Sequence, residues 1–437
     1  MSTSFKTDFY ELTMVQAAFK SGAAIKKATF ELFARKLPAG RKYGVVIGTY
    51  RAIEAIQNFH FNKEQIAYLK EHTILDSAFL EWLENYKFSG TVTGYEEGDV
   101  CFPNSPILTV EGTFAEAVLL ETVLLSIFNY DSAVGAAASR MVEASEGLFP
   151  LIEMGSRRTH EDGAVSASRA AYICGFTASS NIEAGMRYGI PITGTAAHAF
   201  TLAHANETEA FTAQINTLGV NTTLLVDTYD IENGIKTAIK VAGKNLGAIR
   251  IDSGDLHDEP NNARKLLDSL GAVNTKIVVS SDIDEYSIAE LVERGTPING
   301  VGAGTRVVTG SGHPTCGMVY KLVEIEDENG EMRSVAKKSA SKKSVGGLKT
   351  VYREYDKDGL MVGEYFTVRK ELDETNAFKK VQKDFIVDGI VQKMLTIDEI
   401  REFHKKTMLT LPKEAKTVTA GDPLTEIEEI VVMESVK

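Results

Sequence analysis

Cysteine is scarce. The 437 residues hold three, Cys101, Cys174 and Cys316, far apart and with no CxxC pair. They make neither a disulfide framework nor a metal knuckle. Positive charge is also short, with 47 Lys and Arg against 60 Asp and Glu and a net charge of −13. A nucleic-acid partner demands a basic footprint, so that class is excluded, while small anionic ligands need only a local cluster of Arg, Lys and backbone N–H. Long hydrophobic runs are missing too. Nothing approaches the ~18 unbroken apolar residues of a membrane helix. The most apolar stretch, residues 115–128, is interrupted by Glu116 and Glu121. The opening MSTSFKTDFYELTM has no apolar signal core, which predicts a cytoplasmic protein with no membrane attachment. Internal repeats are absent, and only residues 337–349 (KKSASKKSVGGLK), with five lysines, depart from ordinary complexity.

What is present is a rhythm. Six times the middle third runs through a short apolar stretch and stops on a small, polar or charged cluster: residues 151–158 (LIEMGSRR), 191–198 (PITGTAAH), 224–230 (LLVDTYD), 248–255 (AIRIDSGD), 277–284 (IVVSSDID) and 299–305 (NGVGAGT). Such runs read as buried strands. Helical signals lie between several of them, at roughly the ~30-residue spacing of a βα unit. Parallel strands joined by helices end on one side, so the clusters should converge on one site. The fold class expected is α/β, an irregular TIM-like α/β barrel with a second α+β domain formed by the N- and C-terminal segments.

That second domain is read from the flanks. Residues 7–22 have a helical apolar period with a glycine stop. Residues 27–37 read as a strand, and 88–110 as short strands punctuated by Gly94, Gly98, Pro103 and Pro106. Thr113 with Glu116 forms a capping box at the entry to the barrel. After Val323 alternation resumes. A DG turn at Asp358 and Gly359 predicts a hairpin, and Thr396 with Glu399 opens another helix. The expected domains are 1–112 with 324–437, α+β and discontinuous, and 113–323, the barrel.

The clusters carry chemistry. In RIDSGD, Arg250 and Asp252 alternate and so share a strand face, with Asp255 after a turn at Gly254. Read structurally, this is an ion-pair network. Read functionally, Arg250 clamps an anion, and Asp252 and Asp255 hold ribose hydroxyls directly or through Mg²⁺. The turns around Ser280, Ser281 and Asp282 and around Gly302, Gly304 and Thr305 bring backbone N–H to a phosphate, at the late-strand position where barrels bind one. His198 ends GTAAH, where an imidazole near Asp227 or Asp252 acts as base or phosphoryl acceptor; the bland reading is a solvated histidine.

Together these motifs resemble the nicotinate phosphoribosyltransferases, among the type II phosphoribosyltransferases. The resemblance runs from Thr7 to about Arg353. It is carried by TDFYELTM (7–14), FELFARKLP (30–38), LLETVLL (119–125), EMGSRR (153–158), SRAAYI (168–173), SSN (179–181), GTAAH (194–198), VDTYD (226–230), RIDSGDL (250–256), SSDIDE (280–285) and GAGT (302–305).

The resemblance implies transfer of phosphoribosyl from phosphoribosyl pyrophosphate to nicotinate, giving nicotinate mononucleotide and pyrophosphate, coupled to ATP hydrolysis with Mg²⁺. It places the phosphorylated histidine on His198, the nicotinate-binding threonine on Thr195, the anion-binding arginine on Arg250 and the phosphate-binding threonine on Thr305. Arg157 matches an arginine of the phosphate and base pocket. Tyr10 matches a tyrosine that stacks on the pyridine ring across a homodimer interface. Ser281 and Gly304 complete the substrate-binding set, and Asp227, Asp252 and Asp255 are the carboxylates for Mg²⁺. Nicotinamide-using relatives have a carboxylate where Ser180 stands, so a neutral Ser180 favours the acid over the amide. Met154 departs from the aromatic residue common there, and no zinc-binding cysteine set is found.

The mechanism expected is substitution at the anomeric carbon through a cation-like transition state, with lysines 337–349 a mobile cover over the phosphates. Three rivals stay open: a nicotinamide or quinolinate phosphoribosyltransferase, another sugar-phosphate barrel enzyme, and a non-catalytic binding protein of this fold. An aldolase or isomerase needs a Schiff-base lysine or an acid/base pair at a strand end, and none of the six clusters ends on lysine.

Overall fold

The computed structural model describes residues 2–337 and 345–431. The chain divides into two compact units, one of Met1–Ala133, Thr315–Ala415 and Thr419–Lys437, the other of Val134–Pro314 with Lys416–Val418.

The second unit is built on six parallel strands: β1 (Leu151–Glu153), β2 (Ala178–Ser179), β3 (Thr223–Leu225), β4 (Ala248–Ile251), β5 (Lys276–Ser281) and β6 (Gly300–Ala303). Their order in the sheet is β2-β1-β6-β5-β4-β3. Registers such as Val278 opposite Arg250 and Ser281 opposite Ala303 bring the strand ends level. Helices follow the strands, among them Ile231–Ala242, Asp258–Ser269 and Glu285–Glu293. The parallel arrangement buries β-branched side chains, with Ile249, Ile251, Ile277, Val279 and Val301 all in the core, as sheets covered on both faces require.

Five of the six predicted strand segments are strands. The exception is 191–198, where a single bridge between Ile192 and Ser179 is all that pairs and His198 begins a short helix, His198–Leu202. Pro191 has no N–H to give a ladder, and the small residues after it do not drive burial. The place in the sheet belongs to β2, two residues long and too short for a periodicity signal. Hydrogen bonding therefore forms an open, parallel half-barrel sheet.

Polar residues at the strand ends start the next helix. Asn181, Asp230 and Asp284 each cap one, their side chains accepting from Ala184, Asn233 and both Tyr286 and Ser287 backbone N–H, as N-cap residues do. At Gly234 a Cβ would lie 2.1 Å from Val226 O, so glycine lets helix 231–242 approach β3 closely.

The first unit carries a seven-stranded sheet in which Lys27–Ala34, third in order, is flanked antiparallel by Leu108–Thr113 and Met318–Glu326. Phe30 and Tyr320 stack within it, 4.9 Å between ring centres. The predicted helix is Phe9–Ser21, ending at Gly22 with φ +79°. Capping boxes form at Thr113–Glu116 and Thr396–Glu399. The DG turn joins Lys349–Tyr355 to Met361–Val368 as a hairpin, with Gly359 at φ +79°. Arg353 is buried between Asp99, at 2.8 Å, and Glu364, at 2.9 Å.

One helical stretch, Phe114–Ala144, is long and apolar enough to cross a membrane by length and composition, and 67% of its most apolar window is buried inside the protein. Of the lysine segment 337–349, residues 338–344 lie outside the described residues. Its last member, Lys349, is buried with its Nζ 2.6 Å from Glu31 Oε2.

Candidate active site

The C-terminal ends of the parallel strands open on a cavity of about 620 Å³, lined from all but the β3 end. β1 leads to Met154 and the turn Ser156–Arg158, β2 to Ser180, and Thr193, Gly194, Ala196 and Ala197 close one side. β4 supplies Arg250 and Asp252, β5 supplies Ser280, Ser281 and Asp282, and β6 supplies Gly302, Gly304 and Thr305. Segments as distant as 154 and 305 thus share one wall. A Cβ on Gly302 would lie 2.7 Å from Met154 Sδ, so the thioether rests against bare backbone.

Arg250 points from β4 into this space. One Nη2 N–H donates to Ala196 O at 3.1 Å, whereas its Nε is buried without a partner. Burial pulls its pKa below the usual range, against the attraction of Asp252 and Asp227. A buried donor without an acceptor is rare and costly.

His198 stands 40% exposed at the rim of Asp252 and Asp227, its Nε2 3.8 Å from Asp252 Oδ2 and 3.9 Å from Asp227 Oδ1. Its Nδ1 lies 3.2 Å from Thr228 Oγ1. The Asp227 side chain is 1% exposed. Its Oδ2 accepts from Asp252 N–H at 2.9 Å and from the Ser253 hydroxyl at 2.6 Å, and its Oδ1 is buried with no hydrogen-bond partner. Asp252 Oδ1 accepts from the Ser280 hydroxyl. One imidazole and two carboxylates therefore meet where β3, β4 and β5 end.

These carboxylates bear on Mg²⁺. Among the described residues no group of three or more His, Cys, Asp or Glu is arranged for a metal. Asp227 and Asp252 nonetheless fit a hard cation, because the orphaned Asp227 Oδ1 has a free lone pair and oxygen donors with open water positions suit Mg²⁺. Asp255 does not join them. It is exposed, and its Oδ1 accepts from His257 and Asp258 N–H, both at 2.8 Å. The N–H of Asp258, then that of His257, holds its carboxyl below the usual range. The sequence grouped it by proximity in the chain, whereas a helix start claims it.

Arg157, Ser180, Arg250, Asp252, Ser281, Gly304 and Thr305 all line the cavity. Thr195 is exposed and lies between Gly194 and Ala196, two lining residues, without lining the cavity itself. Tyr10 belongs to the other unit, where it is 50% exposed in helix Phe9–Ser21. Burial, then Glu121, Glu11 and Asp8, push its hydroxyl up to about 12.

Sequence reasoning missed Thr228, the partner of His198, and Glu153, a carboxylate 1% exposed directly behind the cavity. Thr228 sits inside VDTYD, between two aspartates that drew the attention. Glu153 is polar at a position the strand pattern marks as buried, and that conflict was the available signal.

The nicotinate phosphoribosyltransferase N-terminal domain model matches residues 5–129, and the nicotinate phosphoribosyltransferase family model matches residues 149–387. The chain is 53% identical over 366 residues to nicotinate phosphoribosyltransferase pncB1 of Mycobacterium tuberculosis, covering 82% of this chain and 80% of that one. It is 37% identical over 414 residues to nicotinate phosphoribosyltransferase of Bacillus subtilis, covering 92% and 84%. The crystal structure of human nicotinic acid phosphoribosyltransferase superposes with a TM-score of 0.84 at 24% identity, over 97% of each chain, which speaks for the fold.

Proposed function

The chain belongs to the nicotinate phosphoribosyltransferase family, and from that premise we propose that nicotinate and phosphoribosyl pyrophosphate meet in the cavity at the ends of β1, β4, β5 and β6. The protein is an enzyme of this type, converting nicotinate to nicotinate mononucleotide in NAD biosynthesis. The observation that carries the placement is the convergence of Arg250, Asp252 and Thr305 on one cavity, with His198 3.8 Å from Asp252.

The backbone N–H groups around Ser281, Gly304 and Thr305 take the phosphates, where short glycine-rich turns favour anions. Arg157 and Arg250 add charge, and the free Nε of Arg250 with Thr195 orients the carboxylate of nicotinate so that the ring nitrogen faces the anomeric carbon. Asp252 holds the ribose as positive charge develops on it. Ser180, neutral, leaves the nicotinate carboxylate unopposed. Asp227 and Asp252 would hold Mg²⁺, which when bound would supply positive charge against the departing pyrophosphate.

ATP is the co-substrate that phosphorylates His198. The Nε2 of His198 lies 3.9 Å from Asp227 and 3.8 Å from Asp252, whose charge stabilises positive charge on the ring as it takes the phosphoryl group and ADP leaves. The added charge reorganises the site and tightens substrate binding, and hydrolysis of the phosphohistidine releases product.

The half-barrel sheet is the core of an irregular TIM-like barrel, and the flanking segments form the α+β domain; because strand Met318–Glu326 pairs with Lys27–Ala34, the division falls at 133/134 and 314/315 rather than at the expected 112/113 and 323/324. Supporting this, β1–β6 all fall between 151 and 303. The enzyme works in the cytoplasm as a homodimer in which Tyr10 of the partner subunit stacks on the pyridine ring. The exposure of Tyr10 at 50% beside Phe9 at 47% supports that role.

Incubation with phosphoribosyl pyrophosphate, Mg²⁺ and either nicotinate or nicotinamide, with and without ATP, tests the whole. Mononucleotide from nicotinate, raised by ATP, is the expected result. Product from nicotinamide alone would replace the reading with that of an amide-using enzyme.

A further inference from the structure

We propose that Glu153 is a positioning residue that sets the base-binding wall of the cavity, an inference that rests on nicotinate being the substrate. Glu153 ends β1 and is 1% exposed. Among the described residues no cation pairs with it, so neutral donors alone satisfy its charge. Oε2 accepts from the Ser168 hydroxyl at 2.7 Å and the Ser179 hydroxyl at 2.6 Å, and Oε1 accepts from Gly155 N–H. Its backbone O accepts from Ser180 N–H at 2.9 Å. A buried carboxylate held this way is costly to place, and its partners show what it secures.

Those partners belong to two walls of the cavity. Gly155 lies in the turn that carries Met154 and Arg157. Ser179 leads to Ser180 and relays the hold further, its Oγ accepting from Asn181 N–H at 2.9 Å, while Asn181 Nδ2 reaches Ser156 Oγ at 3.0 Å. The β6 wall lies beside it in the sheet: Ala303 stands opposite Glu153 in the register and accepts from Met154 N–H at 2.8 Å, without a hydrogen bond to the Glu153 carboxylate. Residues 280–282 at the end of β5 share no hydrogen bond with it. Glu153 thus fixes Met154 against Ser180, the two sides between which the proposed reading places the ring, and holds the phosphate-binding turn at the end of β5 by no hydrogen bond.

The test is steady-state kinetics on purified Glu153→Ala and Glu153→Gln, varying nicotinate and phosphoribosyl pyrophosphate separately. In Glu153→Gln the amide NH2 donates to the serine oxygens, Ser179 turns its proton to Ser168 Oγ, 3.0 Å away, and Ser168 donates to Ala164 O, 2.9 Å away. The network closes again without charge. The expected result is a rise in the nicotinate KM on the order of tenfold in Glu153→Ala, with the phosphoribosyl pyrophosphate KM within about twofold, and near wild-type values in Glu153→Gln. A merely structural loss lowers the active fraction, and hence kcat, without moving one KM. An unchanged nicotinate KM in Glu153→Ala, or both KM values rising together, overturns the proposal. If Glu153→Ala does not fold, Ser179→Ala must show the same asymmetry, smaller in size, or the proposal fails. A wild-type enzyme that ignores nicotinate would instead sink the substrate reading itself.

Discussion

His198 and Asp252 face each other across 3.8 Å, from the start of one short helix to the end of a parallel strand. Their separation in sequence is closed by the fold alone, and in the proposed reading it joins the group that ATP phosphorylates to the group that holds the sugar.

Removing the imidazole should therefore separate two activities. His198→Ala is expected to lose ATP hydrolysis entirely while keeping slow, ATP-independent formation of mononucleotide. Paired assays of ADP release and mononucleotide check this, and ATP hydrolysis at the wild-type rate would take His198 out of its role.

Arg250→Lys keeps the charge but loses the planar fork and the free Nε. With the geometry of the bound anion disturbed, kcat/KM for nicotinate should fall on the order of 100-fold, about 2.7 kcal/mol. A fall below tenfold would show that charge alone suffices there.

Ser180→Asp places a carboxylate where the cavity is neutral. Like-charge repulsion should raise the nicotinate KM at least about tenfold, or about 1.4 kcal/mol, and improve nicotinamide use in relative terms. Unaltered use of nicotinate would refute the charge argument.

His404, fully buried with Nδ1 2.7 Å from Gly98 O, should make stability depend on pH. Burial lowers its pKa from 6.5 to about 4. The folded state then holds it neutral while the unfolded chain binds a proton below pH 6.5, so its contribution weakens as pH falls through that window. Its full loss amounts to about 3 kcal/mol, from a shift of 6.5 to about 4. Denaturant titrations of wild type and His404→Gln between pH 4 and 7 should show a wild-type slope that the variant lacks.

Much of this was readable in the chain. Runs of β-branched residues ending on polar clusters located β1, β3, β4, β5 and β6, and alternation put Arg250 and Asp252 on one wall. Local sequence did not distinguish a polar residue that binds substrate from one that caps a helix, because both occupy the end of a strand. Asp227 and Asp255 come from such clusters, yet one ends buried with an unpaired oxygen and the other serves a helix start. β2 escaped because two residues carry no period. Glu153 escaped because its meaning lies in Ser168 and Ser179, which only tertiary packing brings to it.

One inner strand of the first unit's sheet, Lys27–Ala34, takes one neighbour from residues 108–113 and the other from residues 318–326. A nascent chain must therefore carry that strand with one bare edge while every residue of β1–β6 is synthesised. Exposed strand edges invite pairing with other chains. The order of synthesis thus leaves that edge unpaired until Met318–Glu326 has emerged from the ribosome.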